Sequence, residues 1–138
     1  MMVLVDTPIW SLYLRRHAKD LSPGQQALKT ELAELIREGR AQLIGPIRQE
    51  ILSGIRDDAQ FRRLRDHLRP FDDILVTARD YEEAAQACNR CRAAGITCSS
   101  IDFLICAVAM AHHWPIFTSD HDFTGYAAHL SLQLHAPR

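Results

Sequence analysis

The segment VLVDTPIW, residues 3–10, contains the end of one structural element and the start of the next. Its unbroken apolar start is typical of a strand that is covered on both faces. Pro8 suits the first turn of a helix, because the N–H group that proline lacks has no intrahelical partner at that position. We therefore predict a buried strand followed by a helix, with Asp6 delivered to the edge of a sheet.

Other segments repeat this alternation of strand and helix. The predicted strands are residues 2–5, 41–45, 73–77, 115–119 and 130–135, and the last has the alternating pattern of an edge strand. Strands that alternate with helices predict a parallel sheet with helices on both faces. We expect one three-layer α/β/α domain over residues 1–138, with a central, mostly parallel sheet of four or five strands.

Length and composition agree with one globular domain. The chain has 138 residues, 47% of them hydrophobic, and a formal net charge of −1. No apolar run approaches the ~20 residues that a membrane helix needs. The first residues have no basic leader and reach an acid at Asp6, unlike a signal peptide. We therefore expect a cytoplasmic protein without a membrane partner.

The four cysteines, at positions 88, 91, 98 and 106, raise the question of a second site. Cys88 and Cys91 have the spacing of a redox or zinc pair, and His112 and His113 are available as further zinc ligands. However, the pair follows a helical run instead of a strand-to-helix turn. We favour free thiols that fill helix faces in a reducing compartment.

Five of the seventeen acidic residues have neighbours that should be buried. They are Asp6 after the first strand, Glu50 within PIRQEILSG, Asp102 at the start of the apolar helix SSIDFLICAVA, and Asp120 and Asp122 after the fourth strand. Asp6, Asp102 and Asp120 should face one crevice, since ligands bind outside the carboxyl ends of parallel strands, near the point where strand order reverses.

Each of the five acids also has a local interpretation. Asp6 fits a helix N-cap, and Glu50 fits a pairing with a nearby arginine. Asp102 fits a capping box with Ser99. The two after the fourth strand fit an Asx-turn. The remaining acids, such as Glu31, Glu34 and Glu38, should be solvated on helix surfaces.

A convergence of these acids would require a cation. Like charges ~4 Å apart at an effective dielectric constant of ~20 repel by about 4 kcal/mol per pair. Several such pairs rival the ~5–15 kcal/mol by which a domain is stable. Carboxylate oxygens without matching His or Cys favour Mg²⁺ or Mn²⁺. A divalent ion held by acids suits hydrolysis of a phosphodiester, and Thr7, Thr118 and Ser119 are available to donate hydrogen bonds to a phosphate.

The basic residues suit a polyanionic substrate. Setting the five candidate acids aside leaves twelve acids against sixteen basic residues, a surplus of four positive charges. Most are arginines, whose fork geometry matches phosphate. They cluster at Arg15, Arg16 and Lys19 and again over residues 62–69, although the second cluster also fits an ordinary solvated helix face.

Together, VLVDTPIW, PIRQEILSG, SSIDFLICAVA and IFTSDHDF resemble the PIN-domain ribonucleases, and most closely the toxins of VapBC-type toxin–antitoxin pairs. The resemblance runs from Met2 to about Leu134. It implies a PIN-like fold, an acidic pocket for Mg²⁺ or Mn²⁺, and endoribonuclease activity on an RNA substrate. It also implies a homodimer and neutralisation by a cognate antitoxin protein. One departure is Pro8, where the family often has a small or hydroxyl residue.

Carried over residue by residue, the resemblance assigns the catalytic positions to Asp6, Glu50, Asp102 and Asp120. It assigns metal binding to the three aspartates among them and to Asp122, which matches a less regular fifth acidic position. Thr118 matches the family's hydroxyl residue two positions before Asp120.

Two other functions are compatible with an acidic α/β crevice. A phosphotransfer receiver or magnesium-dependent phosphatase would need a lysine after a late strand, whereas the only lysines, Lys19 and Lys29, are early. A non-catalytic module could use the acidic pocket to bind a partner's arginine or lysine. Activity with and without Mg²⁺ separates this module from an enzyme.

Overall fold

The computed structural model describes residues 1–97 and 99–138, over which the chain forms one sheet flanked by helices. The strands are β1 (Val3–Val5), β2 (Ala41–Ile44), β3 (Asp73–Ile74) and β4 (Ile116–Phe117). The α-helices are α1 (Thr7–Arg15), α2 (Pro23–Arg37), α3 (Gly45–Leu52), α4 (Asp58–Leu68), α5 (Ala78–Ala93), α6 (Ser100–His112) and α7 (Asp122–Ala127). A short 3₁₀ helix spans Ala18–Asp20. The predicted three-layer α/β/α architecture is confirmed.

The order of the strands places the helices and the site. The four strands are parallel and lie in the order β3-β2-β1-β4. The chain moves from β1 to β2 to β3 in one direction and then returns past β1 to β4. Right-handed crossovers therefore put α1 to α4 on one face and α5 and α6 on the other. Strand order reverses between β1 and β4, where ligands bind in sheets of this kind.

Strand β1 is the buried centre of the sheet, as its apolar sequence predicts. All three of its residues are fully buried. Leu4 and Val5 pair with Ile116 and Phe117 of β4, and the next backbone N–H, that of Asp6, donates to the Phe117 carbonyl at 2.9 Å. This register carries the carboxylate of Asp6 to the same edge of the sheet as the residues that follow β4.

Helix α6 is the central apolar helix that the sequence predicts. Residues 103–109 are buried without interruption, which leaves its polar positions at the two ends. Its 13 residues fall short of the ~20 that span a bilayer. In the described part of the chain, no helix combines the length and the apolar character that crossing a membrane requires.

The later strands are shorter than predicted. Strand β3 ends at Ile74, because Leu75 is 79% exposed and Thr77 already caps α5. The predicted strand over 130–135 is reduced to a single parallel bridge between Ile116 and Leu134. The pairing does not continue towards residue 130, since the backbone N–H of Leu132 donates to the carbonyl of Leu130 at 2.8 Å instead of to a neighbouring strand.

Glu31 is buried, contrary to the prediction that it is solvated. Only 3% of the residue is exposed. Its carboxylate accepts hydrogen bonds from the backbone N–H and Nε of Arg138, both at 2.8 Å, and contacts His135 Nε2 at 3.3 Å. The same guanidinium bonds Glu38. Burial acts to raise the pKa of Glu31, but the hydrogen bonds from Arg138 and His135 outweigh it and lower that pKa below its ordinary value.

We expect Glu31→Gln to lower the free energy of unfolding by about 1–3 kcal/mol at pH 7, because it leaves the network around a buried acceptor incomplete. Urea unfolding measures this loss. The matched control is Glu34→Gln on the exposed face of the same helix, which should change the free energy of unfolding by no more than about 0.5 kcal/mol. Since the folded-state pKa is lowered, the deficit is full above the unfolded pKa of about 4.5 and shrinks as the pH falls below it. Equal losses in both variants would contradict this account.

Candidate metal centre

Asp6 is held rigidly at the carboxyl end of β1. It is 4% exposed. Its Oδ1 accepts from the backbone N–H of Thr7 at 2.8 Å, and its Oδ2 accepts from Thr118 Oγ1 at 2.7 Å. A carboxylate has about four lone-pair positions. Asp6 therefore retains acceptor capacity for a ligand after both hydrogen bonds are made.

A chain of hydrogen bonds joins Asp6 to the acids that follow β4. Thr118 Oγ1, which donates to Asp6, accepts from the backbone N–H of Asp120 at 3.0 Å. Asp120 Oδ1 in turn accepts from the backbone N–H of Asp122 at 3.0 Å. The loop after β4 is thus shaped by its own polar groups, and Thr118 ties this loop to Asp6 at the end of β1.

Asp102 enters the same site from the first turn of α6. Its Oδ2 accepts a hydrogen bond from the hydroxyl of Tyr126 on α7 at 3.0 Å. The alternative capping box is not formed, because Ser99 makes no side-chain hydrogen bond at the helix start. The carboxylate is therefore directed by Tyr126 and leaves the helix terminus uncapped.

Asp102, Asp120 and Asp122 form a group that can hold a metal ion. Each offers one carboxylate oxygen, and the three oxygens lie within 4.8 Å of one another. At about 2.1 Å per bond, the ligand oxygens of an octahedral Mg²⁺ are about 3.0 Å apart when adjacent and about 4.2 Å apart when opposite. The three carboxylate oxygens would therefore have to move somewhat closer together to share one ion. The all-oxygen donor set fits Mg²⁺ or Mn²⁺ better than zinc.

Burial is the main cause of raised pKa values in the acidic group, and the charges of neighbouring acids add to it. Burial raises the pKa of Asp6 from 3.8 to about 6; hydrogen bonds from Thr118 and Thr7 oppose the rise, and the charges of Asp102 and Glu50 add to it. Burial also raises the pKa of Asp102, opposed by its hydrogen bond from a tyrosine and assisted by the neighbouring acids. The site without metal therefore resists full ionisation, which a divalent cation would relieve.

Glu50 lies near the group but outside its ligand set. It is an exposed residue of α3, and its charge acts on both Asp6 and Asp102. In the described chain it is not in an ion pair with an arginine, so that local interpretation fails.

One buried hydroxyl beside the acids has no partner. Thr7 Oγ1 is enclosed and makes no hydrogen bond within the described residues. An unsatisfied buried hydroxyl costs about 1–3 kcal/mol. Such a cost beside Asp6 fits a site in which a bound ion with its water, or a substrate oxygen, supplies the missing partner.

The structure thus brings the predicted acids together from four separate elements. Asp6 follows β1, Asp102 opens α6, and Asp120 and Asp122 follow β4, while Glu50 stands at the margin on α3. Two local interpretations also hold: Asp6 caps α1, and Asp120 forms the predicted turn with Asp122. A carboxylate has about four lone-pair positions, so a capping or turn hydrogen bond leaves it able to bind a further partner.

Tyr126 is the site residue that sequence reasoning missed. It is 2% exposed, packs against Phe103 and Phe123, and belongs to α7, which was not predicted. The spacing of Phe123, Tyr126 and Leu130 on one helical face was the available signal. Burial, together with the charge and hydrogen bond of Asp102, raises the pKa of the tyrosine, which keeps it a hydrogen-bond donor.

The C-x-x-C pair lies on α5. Cys91 is fully buried and Cys106 is buried in α6, where burial raises the pKa of both thiols. His112 stacks on Trp114 with ring centroids 4.2 Å apart. Cys98 lies outside the described residues. Among those described, the three aspartates are the group that meets a metal-ligand spacing.

Comparison with known protein families matches residues 3–128 to the PIN domain, whereas a search of curated proteins found no match. Three similar solved structures are FitAcB from Neisseria gonorrhoeae, VapBC2 from Rickettsia felis bound to a DNA fragment from their promoter, and a toxin–antitoxin complex from Klebsiella pneumoniae. Their identities are 20%, 16% and 20%, and their TM-scores are 0.77, 0.73 and 0.67. Each match covers 98–99% of this chain and 98% of the other. At these identities the structures show a shared fold, and the match over residues 3–128 establishes that the chain belongs to the PIN-domain family.

Proposed function

We propose that this protein is a metal-dependent endoribonuclease and the toxin of a toxin–antitoxin pair. The observation that carries the proposal is the group of Asp102, Asp120 and Asp122, tied through Thr118 to Asp6 at the point where strand order reverses. PIN domains are generally nucleases. The solved structures of similar fold include toxin–antitoxin complexes.

The chain's own residues supply the geometry for phosphodiester hydrolysis. A divalent ion, when bound, would hold a nonbridging phosphate oxygen and lower the pKa of a water molecule. Asp102, Asp120 and Asp122 would hold that ion, with Asp6 completing or orienting the set. Glu50 would accept the proton of the attacking water, because its exposed carboxylate lies near enough for its charge to act on Asp6 and Asp102.

Two side chains act by positioning the carboxylates. Thr118 fixes Asp6 and the turn after β4 at once, since one hydroxyl donates to the first and accepts from the second. Tyr126 fixes Asp102. Ser119, the exposed residue that follows Thr118, would donate a hydrogen bond to a phosphate oxygen of the substrate.

Two protein partners are part of the proposal. A cognate antitoxin would neutralise the site by placing a basic side chain among the acids, as their charge favours. A second copy of the chain would cover an apolar groove of about 410 Å³ between α3, α5 and α6, lined by Pro46, Tyr81, Ile101 and Leu104. Tyr81 is 56% exposed there. Light scattering of the purified chain tests this part, and a monomer at micromolar concentration would refute it.

Cleavage of RNA with and without metal tests the catalytic part. The purified chain should cut single-stranded RNA in Mg²⁺ or Mn²⁺, lose activity in EDTA, and regain it on readdition of the ion. Mg²⁺ should also raise the melting temperature of the wild type, a readout that is independent of activity. A chain that binds a basic peptide but cuts no RNA under any of these conditions would favour the non-catalytic module.

A further inference from the structure

A groove of about 520 Å³ leads away from the acids between α1, α2 and α4. Its lining includes Pro8, Ser11, Arg15 and Arg16 from the first helix and its end, Gln60 from α4, and Ser119. Ser119 lies between Thr118 and Asp120 of the metal centre. One end of the groove is therefore formed by the loop that carries Asp120.

One stripe of α1 forms a wall of this groove. Pro8, Ser11 and Arg15 recur at helical spacing and follow one face of the helix. Seven residues at 1.5 Å per residue put Arg15 about 10 Å from Pro8 along the axis. A stacked strand advances ~3.4 Å per nucleotide. The groove is therefore long enough for roughly three nucleotides beyond the cleavage point.

The far end of the groove is positively charged. Arg15 and Arg16 are exposed, and in the described chain neither forms an ion pair with a carboxylate. Lys29 reaches the same end, where its Nζ donates to the carbonyl of Arg16 at 3.0 Å. Three cations thus follow a site of concentrated negative charge. An RNA strand whose scissile phosphate lay at the acids would meet compensating positive charge in this direction.

We propose that this groove binds the phosphate backbone of single-stranded RNA on one side of the cleavage point. Arg15 and Arg16 contact the phosphates, and Ser11 and Gln60 offer hydrogen bonds to sugars or bases. The inference rests on the proposed ribonuclease function, but it assigns an RNA-binding role to residues that hydrolysis itself does not require. Leu12 and Leu28 also line the groove, but its cations, unpaired within the described residues, are the feature that favours a nucleic acid strand over an apolar helix of a protein partner.

Binding of a short, mixed-sequence single-stranded RNA tests the groove without cleavage. The measurement uses the non-cleaving Asp102→Asn chain in Mg²⁺ and follows fluorescence anisotropy as salt is varied. Adding Arg15→Gln and Arg16→Gln together should reduce the slope of log K against log[salt] by about 1.4, since each single-strand phosphate contact contributes about 0.7. Affinity at 0.1 M salt should fall about 25-fold by the same relation.

Arg90→Gln with Arg92→Gln is the matched control, because both residues are exposed on α5 and removing them changes net charge equally. This pair should leave the slope within experimental error. In the chain that retains Asp102, the substitutions Arg15→Gln and Arg16→Gln together (the groove pair) should raise KM and leave kcat unchanged. Unfolding curves that match the parent's show that each variant is folded.

The outcomes separate the groove from the proposed function. Equal losses in the groove pair and the control pair, or an unchanged slope in the groove pair, would overturn the proposal and leave the groove to a protein partner. If the wild type cleaves RNA but the two arginine substitutions leave the salt slope unchanged, the groove is rejected and the nuclease is kept. If the two arginine substitutions selectively weaken RNA binding but the wild type never cleaves RNA, the groove is supported and the nuclease is rejected.

Discussion

Asp102→Asn is expected to reduce RNA cleavage by at least about 100-fold. Loss of an outer-shell partner of a metal site already costs 10–100-fold, and Asp102 belongs to the group whose oxygens approach one another. The amide keeps an oxygen that accepts from Tyr126, so the helix start should be preserved. Initial rates of cleavage of a fluorescent RNA at saturating Mg²⁺ measure the effect.

Asp72→Asn is the matched control for this substitution. Asp72 is an exposed aspartate outside the acidic group, so its removal should leave the rate within two-fold of wild type, roughly the scatter expected of surface changes of ±0.5 kcal/mol. Isothermal titration with Mn²⁺ should show weakened binding in Asp102→Asn alone. If purified Asp102→Asn were to cut RNA as fast as wild type, its assignment as a metal ligand would be rejected.

Asp6→Asn is expected to stabilise the metal-free protein while removing its activity. The carboxylate is 4% exposed, and burial raises its pKa from 3.8 to about 6. Each unit corresponds to 1.36 kcal/mol, so ionisation in the folded state costs about 3 kcal/mol at pH 7. Asparagine removes that cost and can keep both hydrogen-bonding contacts, with Thr7 and Thr118.

The pH dependence of the stability difference between wild type and Asp6→Asn follows from the raised pKa of Asp6. Wild type and Asp6→Asn should be equally stable below about pH 4, where the aspartate is protonated in both states. Between pH 4 and 6 the wild type should lose stability relative to the variant, and the gap should then stay constant. Urea unfolding in EDTA measures the gap, and saturating Mg²⁺ should close or reverse it. A gap that is the same at pH 3.8 and pH 7 would contradict the account.

The positions of the acids were predictable because strand ends are a strong constraint. A buried strand that stops at a carboxylate must deliver it to one edge of a parallel sheet, and this holds for Asp6 and for the loop after β4. The predicted helix start did the same for Asp102. The strand order itself does not follow from the pattern, since several orders satisfy the same alternation.

Features that depend on distant chain segments escaped the sequence pattern. Glu31 lies on a helix of polar appearance and is buried only because residues more than 100 positions later fold over it. Strand β3 was predicted too long because the apolar Leu75 and Val76 continue the pattern after pairing has stopped. Helix α7 was missed because it is six residues long, too short for periodicity to distinguish it from a turn.

The acids of the metal centre come from both ends of the chain, with Asp6 near the start and Asp122 in the last eighth. Synthesis proceeds from the amino end at about 5–20 residues per second. A ribosome-bound intermediate that lacks β4 therefore carries an incomplete candidate site, and under the proposed function a chain truncated before Asp122 should not cleave RNA. Under the proposed function, the sequence order of these acids delays activity until β4 and the loop after it have been made.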